Sequence, residues 1–298
     1  MPSNKESSHK AGFVTILGRP NVGKSTLMNA MVGEKLSIIT AKAQTTRHRI
    51  HGIVNGEDYQ VVFSDTPSIL DPAYKLQESM LRSARQALTD ADVILYLTEP
   101  GEKVDASEYF LQRISKATTP VLLLINKIDL TNQEALEELV DAWKKRLPKA
   151  EILPMSALKN FNVKPLFKRI LELIPSSPPY YPKDMLTNKS ERFLTGEMIR
   201  EKVLLYYRQE IPYSVEVEIE EFKEEPRIIR IRALIYVEKE SQKGILIGHQ
   251  GAALKKVGKE ARETMEKFFG KKIFLELFVK VRKDWRNNEN TLKKFGYR

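Results

Sequence analysis

Gly18-Arg19-Pro20-Asn21-Val22-Gly23-Lys24-Ser25 is the stretch on which the fold turns. Two glycines flank four residues and are followed by Lys and a hydroxyl residue, the pattern of a loop that cradles nucleotide phosphates. Glycine reaches backbone angles that side chains resist, so consecutive N–H groups can turn inward as an anion nest. The apolar run Phe13–Leu17 before the loop reads as a strand, and Thr26–Val32 after it reads as a helix start. That setting separates the motif from a chance Gly-rich turn, and the helix adds its positive dipole end. Lys24 supplies a point charge for the β- and γ-phosphates, and the Ser25 hydroxyl is placed to ligate Mg²⁺. Gly18 to Thr26 therefore form a predicted phosphate site.

From 12 to 174, short apolar runs alternate with amphipathic stretches. Strands are predicted at Phe13–Leu17, Ile50–Val54, Tyr59–Ser64, Val93–Leu97, Val121–Ile125 and Glu151–Leu153. Helices are predicted near Leu76–Leu88, Tyr109–Ser115, Glu134–Leu147 and Val163–Ile174. The alternation argues an α/β domain, a mostly parallel sheet with helices on both faces and its ligand beyond the strands' carboxyl ends. Residues 1–11 read as a disordered lead-in. Pro175 to Pro182 hold four prolines and read as a stiff linker, with a surface loop as the plain alternative.

Charge supports the division. The 298 residues carry a formal net charge of +10. Residues 1–182 have 23 Lys+Arg against 20 Asp+Glu, and 183–298 have 26 against 19, so most of the excess lies in the smaller piece. Such a balance favours a polyanionic partner. With no cysteine, disulfides and thiolate metal sites are excluded. No apolar run approaches a membrane span and Met1-Pro2-Ser3-Asn4-Lys5 is no secretory signal, so a cytoplasmic protein is expected.

Asn126-Lys127-Ile128-Asp129 follows the strand at Val121–Ile125. A buried carboxylate at Asp129 would accept from N1–H and the 2-amino group of guanine, a donor pair that adenine lacks. Asn126 would tie this segment to the phosphate loop, Lys127 would lie along the base, and a backbone N–H of Ser156-Ala157 would reach the guanine O6. Alone the motif reads equally as a polar turn; behind a phosphate loop it points to GTP or GDP. Asp65-Thr66-Pro67 closes another strand, where an acid can hold Mg²⁺ through water. Thr45 and Thr46 offer a hydroxyl that would complete the metal shell only beside a γ-phosphate, although loop threonines are common.

Together these motifs resemble the five successive motifs of translation-factor-class GTPases. Lys42 to Arg49 and the basic second piece narrow the resemblance to the Era family of bacterial ribosome-assembly GTPases, over essentially the whole chain. It implies Mg²⁺-dependent GTP hydrolysis with Ser25 and Thr46 (the second threonine of the pair) as metal ligands. Two positions stand out. Ser68 replaces the glycine of the usual Asp-Thr-Pro-Gly, adding a Cβ where an N–H meets the γ-phosphate. Ile69 stands where Ras-like enzymes carry a water-positioning glutamine, a replacement the family shares. Some relatives with asparagine in the loop use K⁺, which makes Asn21 a candidate potassium ligand; filling the turn is the alternative.

The second piece reads helix (Gly196–Tyr207), strand (Ser214–Glu221), strand (Ile228–Val237), short helix (Gln242–Ile247), long helix (Ala252–Phe269), strand (Ile273–Val281). This α+β order is that of a type II KH domain. Gly248-His249-Gln250-Gly251 would let an RNA backbone approach main-chain N–H groups. By itself such a spacing is an ordinary helix–helix turn. Lys243, Lys255, Lys256 and Lys259 surround it, with Ile245, Ile247 and Leu254 as an apolar floor for unstacked bases. The resemblance extends this to the 3′ end of 16S ribosomal RNA and the 30S subunit, with Lys280, Arg282 and Lys283 as phosphate contacts. It also carries peripheral inner-membrane association and a monomeric state as expectations. A solvated or membrane-facing basic surface is the plainer reading of the charge. Two rivals remain: an RNA-binding scaffold whose nucleotide domain scarcely hydrolyses, and a phosphate-loop kinase or ATPase.

Overall fold

Lys10–Gly18 is a run that water hardly reaches, because a parallel sheet buries its central strands on both faces. The computed structural model describes residues 9–102, 104 and 108–297. They divide into two units, 9–37, 46–71 and 80–188 forming the first and 38–45, 72–79 and 189–297 the second. The lead-in expected over 1–11 lies outside the described residues for 1–8, whereas Lys10 and Ala11 are the first rungs of a strand.

In chain order the first elements are β1 (Lys10–Gly18), α1 (Lys24–Val32), β2 (Ile50–Asn55), β3 (Tyr59–Asp65), α2 (Lys75–Thr89) and β4 (Val93–Thr98). Then come α3 (Glu108–Ser115), β5 (Val121–Ile125), α4 (Gln133–Arg146), β6 (Glu151–Pro154) and α5 (Val163–Leu173). The sheet order is β2-β3-β1-β4-β5-β6, with only β2–β3 antiparallel. On one face α2, α3 and α4 bury Ala84, Phe110, Ile114 and Trp143 against Ile94 and Tyr96. On the other, Phe167 of α5 packs edge-on to Tyr59 and beside Phe63, with ring centroids 5.8 and 6.4 Å apart. The stretch expected to be a linker is tied down within this unit: Pro175 accepts from Ala11 N–H, and Tyr180 and Tyr181 N–H both donate to the Gln60 side chain.

The second unit holds α6 (Glu191–Tyr206), α7 (Ile211–Ser214), β7 (Glu216–Glu224), β8 (Ile228–Val237), α8 (Glu240–Ile247), α9 (Ala252–Phe269), β9 (Lys272–Val281) and α10 (Glu289–Lys294). Its sheet runs β7-β8-β9, antiparallel then parallel. Ile229, Ile231, Ala233 and Ile235 of β8 meet Ile199 and Val203 of α6 and Val257, Ala261 and Met265 of α9. Three local features differ from the pattern. Ser190 caps α6 by accepting from Phe193 N–H, so the helix starts five residues before Gly196. Pro212 fits the first turn of the short α7, which pushes the strand start from Ser214 to Glu216. A bulge between Ile219 and Glu221 then shifts the register and hands the core side to Phe222.

Trp143, 1% exposed, packs against Tyr96 with ring centroids 5.8 Å apart. Trp143→Ala is expected to cost about 3–5 kcal/mol, read as a fall in the urea midpoint of the first unit. A loss below about 1 kcal/mol would place this ring outside the core.

Candidate functional site

The phosphate loop leaves the end of β1, where Gly18 pairs with Leu97 of β4. A Cβ at Gly18 (φ 149°) would come 2.5 Å from the Leu97 carbonyl oxygen, so no larger residue fits this crossing. Gly23 (φ 99°) is tighter still: a Cβ there would lie 2.2 Å from Nδ2 of Asn126. Asn21 also takes a positive φ, 66°, and is exposed at the loop tip with Arg19, while Val22 is buried and Pro20 and Thr26 are half-buried.

Lys24 is buried, and its ammonium donates to the carbonyls of Gly18 (3.0 Å) and Arg19 (2.8 Å) and to Oγ of Ser68 (3.0 Å). Burial lowers its pKa to about 8, against the nearby charges of Asp65 and Glu102, which act to raise it. Asp65 ends β3 fully buried, and desolvation raises its pKa despite a hydrogen bond from Ser25 at 2.7 Å. The Thr46 hydroxyl lies 3.0 Å from Ser25 Oγ and 3.3 Å from Asp65 Oδ2. Thr45 instead pairs with Thr40 and the Lys42 carbonyl, so the two adjacent threonines have separate partners. Asp65 Oδ1 is buried without a hydrogen bond, the nearby Ser37 hydroxyl falling short of bonding geometry. A hard oxygen set of this kind, with one orphaned carboxylate oxygen, fits Mg²⁺.

Asn126 is the clip of the site. Its amide donates to the Val22 carbonyl at 2.7 Å, and its Oδ1 accepts from Ala157 N–H at 2.9 Å. The Ala157 N–H expected on a guanine O6 thus has an internal partner, as does Ser156 N–H, which bonds the Phe161 carbonyl at 3.2 Å. Asp129 is the middle residue of a single 3₁₀ turn, Ile128–Leu130, and is exposed rather than buried, so a base must cover it before a missing donor becomes costly. Lys127 (φ 62°) is ion-paired with Glu99.

Three further residues differ from their expected parts. Thr66 gives its hydroxyl to the Ile16 carbonyl at 2.7 Å, and Pro67 is buried beside it, so both shape the turn. Ser68 is not among the residues at positive φ, so its Cβ causes no backbone strain; its hydroxyl reaches Lys24 instead. Ile69 is buried with Leu17 and Ala84 and cannot position water. Two carboxylates were not foreseen. Glu99 and Glu102 follow β4, which neighbours β1, and Glu102 lies 3.9 Å from Arg19 with a pKa raised by burial. Glu102 thus reaches the phosphate loop and Glu99 reaches Lys127, placements that follow from strand order, which no local pattern encodes.

In the second unit a cleft of about 780 Å³ opens between α9 and β9, lined by Gly251, Lys255, Lys256 and Lys259. Its apolar floor is Leu254 with Leu275 and Leu277, not Ile245 and Ile247: Ile245 is 52% exposed on α8 and Ile247 half-buried, both away from the lining. Gly258 lets the strand approach, since a Cβ there would be 3.3 Å from Leu277 Cδ1. Arg262 also lines the cleft and lies one helical face from Lys255 and Lys259, a spacing legible in the sequence. Gly248 (φ 72°), Gln250 (φ 49°) and Gly251 (φ 76°) turn the chain into α9, with His249 exposed. Lys243, Lys280, Arg282 and Lys283 do not line the cleft; Arg282 lies over the Phe295 ring at 5.6 Å.

A phosphate loop clipped to a guanine-type turn on one sheet, and a Gly-x-x-Gly helix pair over a basic cleft on another, define a GTPase carrying a KH domain. Family models agree: one described as 50S ribosome-binding GTPase matches residues 13–127, and a KH domain model matches 210–286. The chain is 47% identical to GTPase Era of Alkaliphilus metalliredigens over 97% of its length and 99% of that protein's. It is 48% identical to that of Syntrophus aciditrophicus, over 97% and 95%. Among solved structures, Era in complex with MgGDPNP and nucleotides 1506–1542 of 16S ribosomal RNA shares 40% identity with a TM-score of 0.93, covering 97% and 99%. An Aquifex aeolicus Era variant bound to GDP·AlF4− shares 41%, with the same TM-score and coverage. The chain belongs to the Era family of GTPases.

Asp129→Ala is expected to weaken GDP at least tenfold while leaving the already weak binding of ADP unchanged, measured by competition against a fluorescent nucleotide. Equal losses for both purines would remove Asp129 from base recognition.

Proposed function

We propose that the chain hydrolyses GTP in a unit built around Gly18–Ser25, and that its KH domain binds the 3′ end of 16S ribosomal RNA during 30S subunit assembly. The division proposed for these tasks is 12–174 for the GTPase domain and 183–298 for the KH domain, with 175–182, which packs on the first unit, between them. The observation that carries the reading is the double hydrogen bond of Asn126, which joins the phosphate loop, the Asn126–Asp129 turn and the Ser156–Ala157 loop into one crevice. The RNA half is supported by the solved relative with 16S nucleotides 1506–1542 and by the lysine-lined cleft.

In this crevice Lys24 is already held within the loop, so its ammonium meets the β- and γ-phosphates with little rearrangement. Ser25 and Thr46, with Asp65 behind them, would hold Mg²⁺, as the MgGDPNP-bound relative suggests; the ion would neutralise charge on the phosphoryl oxygens. Asn21 is the proposed K⁺ ligand, from its place at the loop tip. The Ser68 hydroxyl engages the Lys24 ammonium and competes with a γ-phosphate for it. Ile69 is committed to the core, so this side chain does not orient the attacking water.

Lys24→Ala should abolish nucleotide retention by the full chain while leaving its affinity for the 1506–1542 RNA within about twofold in the absence of nucleotide. Unchanged GTP affinity would refute the phosphate-loop assignment. Ser68→Gly should raise single-turnover hydrolysis several-fold by freeing the ammonium. A rate equal to or below that of the parent would show that the hydroxyl is no obstacle.

A further inference from the structure

Strand β9 has two faces, and the RNA cleft uses only one. Leu275 and Leu277 point into the cleft, so the two-residue alternation sends Phe274, Glu276, Phe278 and Lys280 to the opposite side. There Phe274 and Phe278 are 45% and 46% exposed, unusual for rings on a sheet. The neighbouring strand covers each with a guanidinium: Arg230 stands 5.4 Å from the Phe274 centroid and Arg232 5.9 Å from that of Phe278. The rest of this face is already occupied. Phe295 packs at 5.2 Å on Tyr236 and at 5.6 Å on Trp285, whose indole N–H bonds the Ser214 carbonyl. The C-terminal segment thus covers the Tyr236 end and stops short of the two phenylalanines.

We propose that this bare half of the sheet is a second RNA surface, on which bases of a strand leaving the cleft stack on Phe274 and Phe278. The inference rests on the reading of the cleft as an RNA site and extends the strand's path. Three observations select RNA as the occupant. The face adjoins the cleft, since β9 lines the cleft and is the edge strand of its sheet. Its rings are flanked by Arg230, Arg232 and Lys280; Glu276 is held by Arg232 at 3.3 Å and the nearby Glu225 by Arg230, and Glu221, in register with Arg232 on β7, is an exposed acid on the same face. Exposed aromatics beside cations are what single strands stack upon, without regard to sequence. Lys280, which the cleft leaves unused, then stands two residues from Phe278 as a phosphate contact.

The experiment compares the full chain with Phe274→Ala/Phe278→Ala and with Phe274→Leu/Phe278→Leu, which keeps apolar bulk and removes the π face. Two probes are used: RNA of 16S nucleotides 1506–1542, and a fragment of about four nucleotides, the length a KH loop clamps. Both double variants should bind the long RNA at least tenfold more weakly and the short one unchanged, with thermal unfolding as in the parent. If both bind the long RNA like the parent, the proposal fails, even if they lose the assembled small subunit, which would make the face a protein contact. Equal weakening of long and short RNA would also overturn it, as cleft damage. Gly251→Asp separates the levels: it should weaken both RNAs, and normal binding of both would remove the cleft reading and this proposal with it.

Discussion

A single buried asparagine governs the nucleotide crevice. The side chain of Asn126 has one donor pair and one acceptor, and it spends them on two loops that arrive from different strands. Removing it would orphan a buried carbonyl and a buried N–H together, each costing about 1–3 kcal/mol. The same contact explains Gly23, because any Cβ would occupy the place of the amide. Loop conformation, glycine spacing and the position of the base-reading turn are thus one constraint, imposed by strands β1, β5 and β6 ending at the same edge of one sheet, with β4 between β1 and β5.

Around this clip the protein buries two charged groups, Lys24 with an acceptor for each of its three N–H donors and Asp65 with one carboxylate oxygen unbonded. Lys24 and Asp65 both sit where desolvation opposes ionisation, in opposite directions for the two. Such groups bind complementary charge well, because much of their desolvation cost has already been met during folding. The phosphate loop therefore works by position and electrostatics, with no side chain among the described residues placed to act as a conventional base. The cleft of the second unit follows a different logic. Its lysines are exposed and solvated, so their attraction to phosphate is salt-sensitive, while Leu254, Leu275 and Leu277 supply contact that salt does not screen.

Much of this was readable before any coordinates. Strands buried on both faces announce themselves as unbroken apolar runs, and Val121–Ile125 has the same bounds in sequence and structure. The phosphate loop and the Asn126–Asp129 turn were readable because their chemistry is local. What escaped notice depends on tertiary placement. Glu102 meets Arg19 of the loop only because β4 lies beside β1, Glu99 meets Lys127 because β4 also lies beside β5, and Leu275 and Leu277 become a floor only when α9 crosses them. The helices α7 and α10 are too short to show a period; Pro212 and the cap Asn288 mark them only in hindsight. Asp129 was expected to be buried, yet it reaches solvent, because burial there belongs to the complex rather than to the fold.

The ratio of GDP to ADP affinity in Asn126→Ala tests the central claim most directly. If one side chain holds both the phosphate loop and the base-reading turn, affinity and purine preference should fall together, the ratio dropping at least tenfold with the overall loss. A variant that binds nucleotide weakly but keeps the parent's full preference for guanine would contradict the account, showing that the two loops hold their places without the clip.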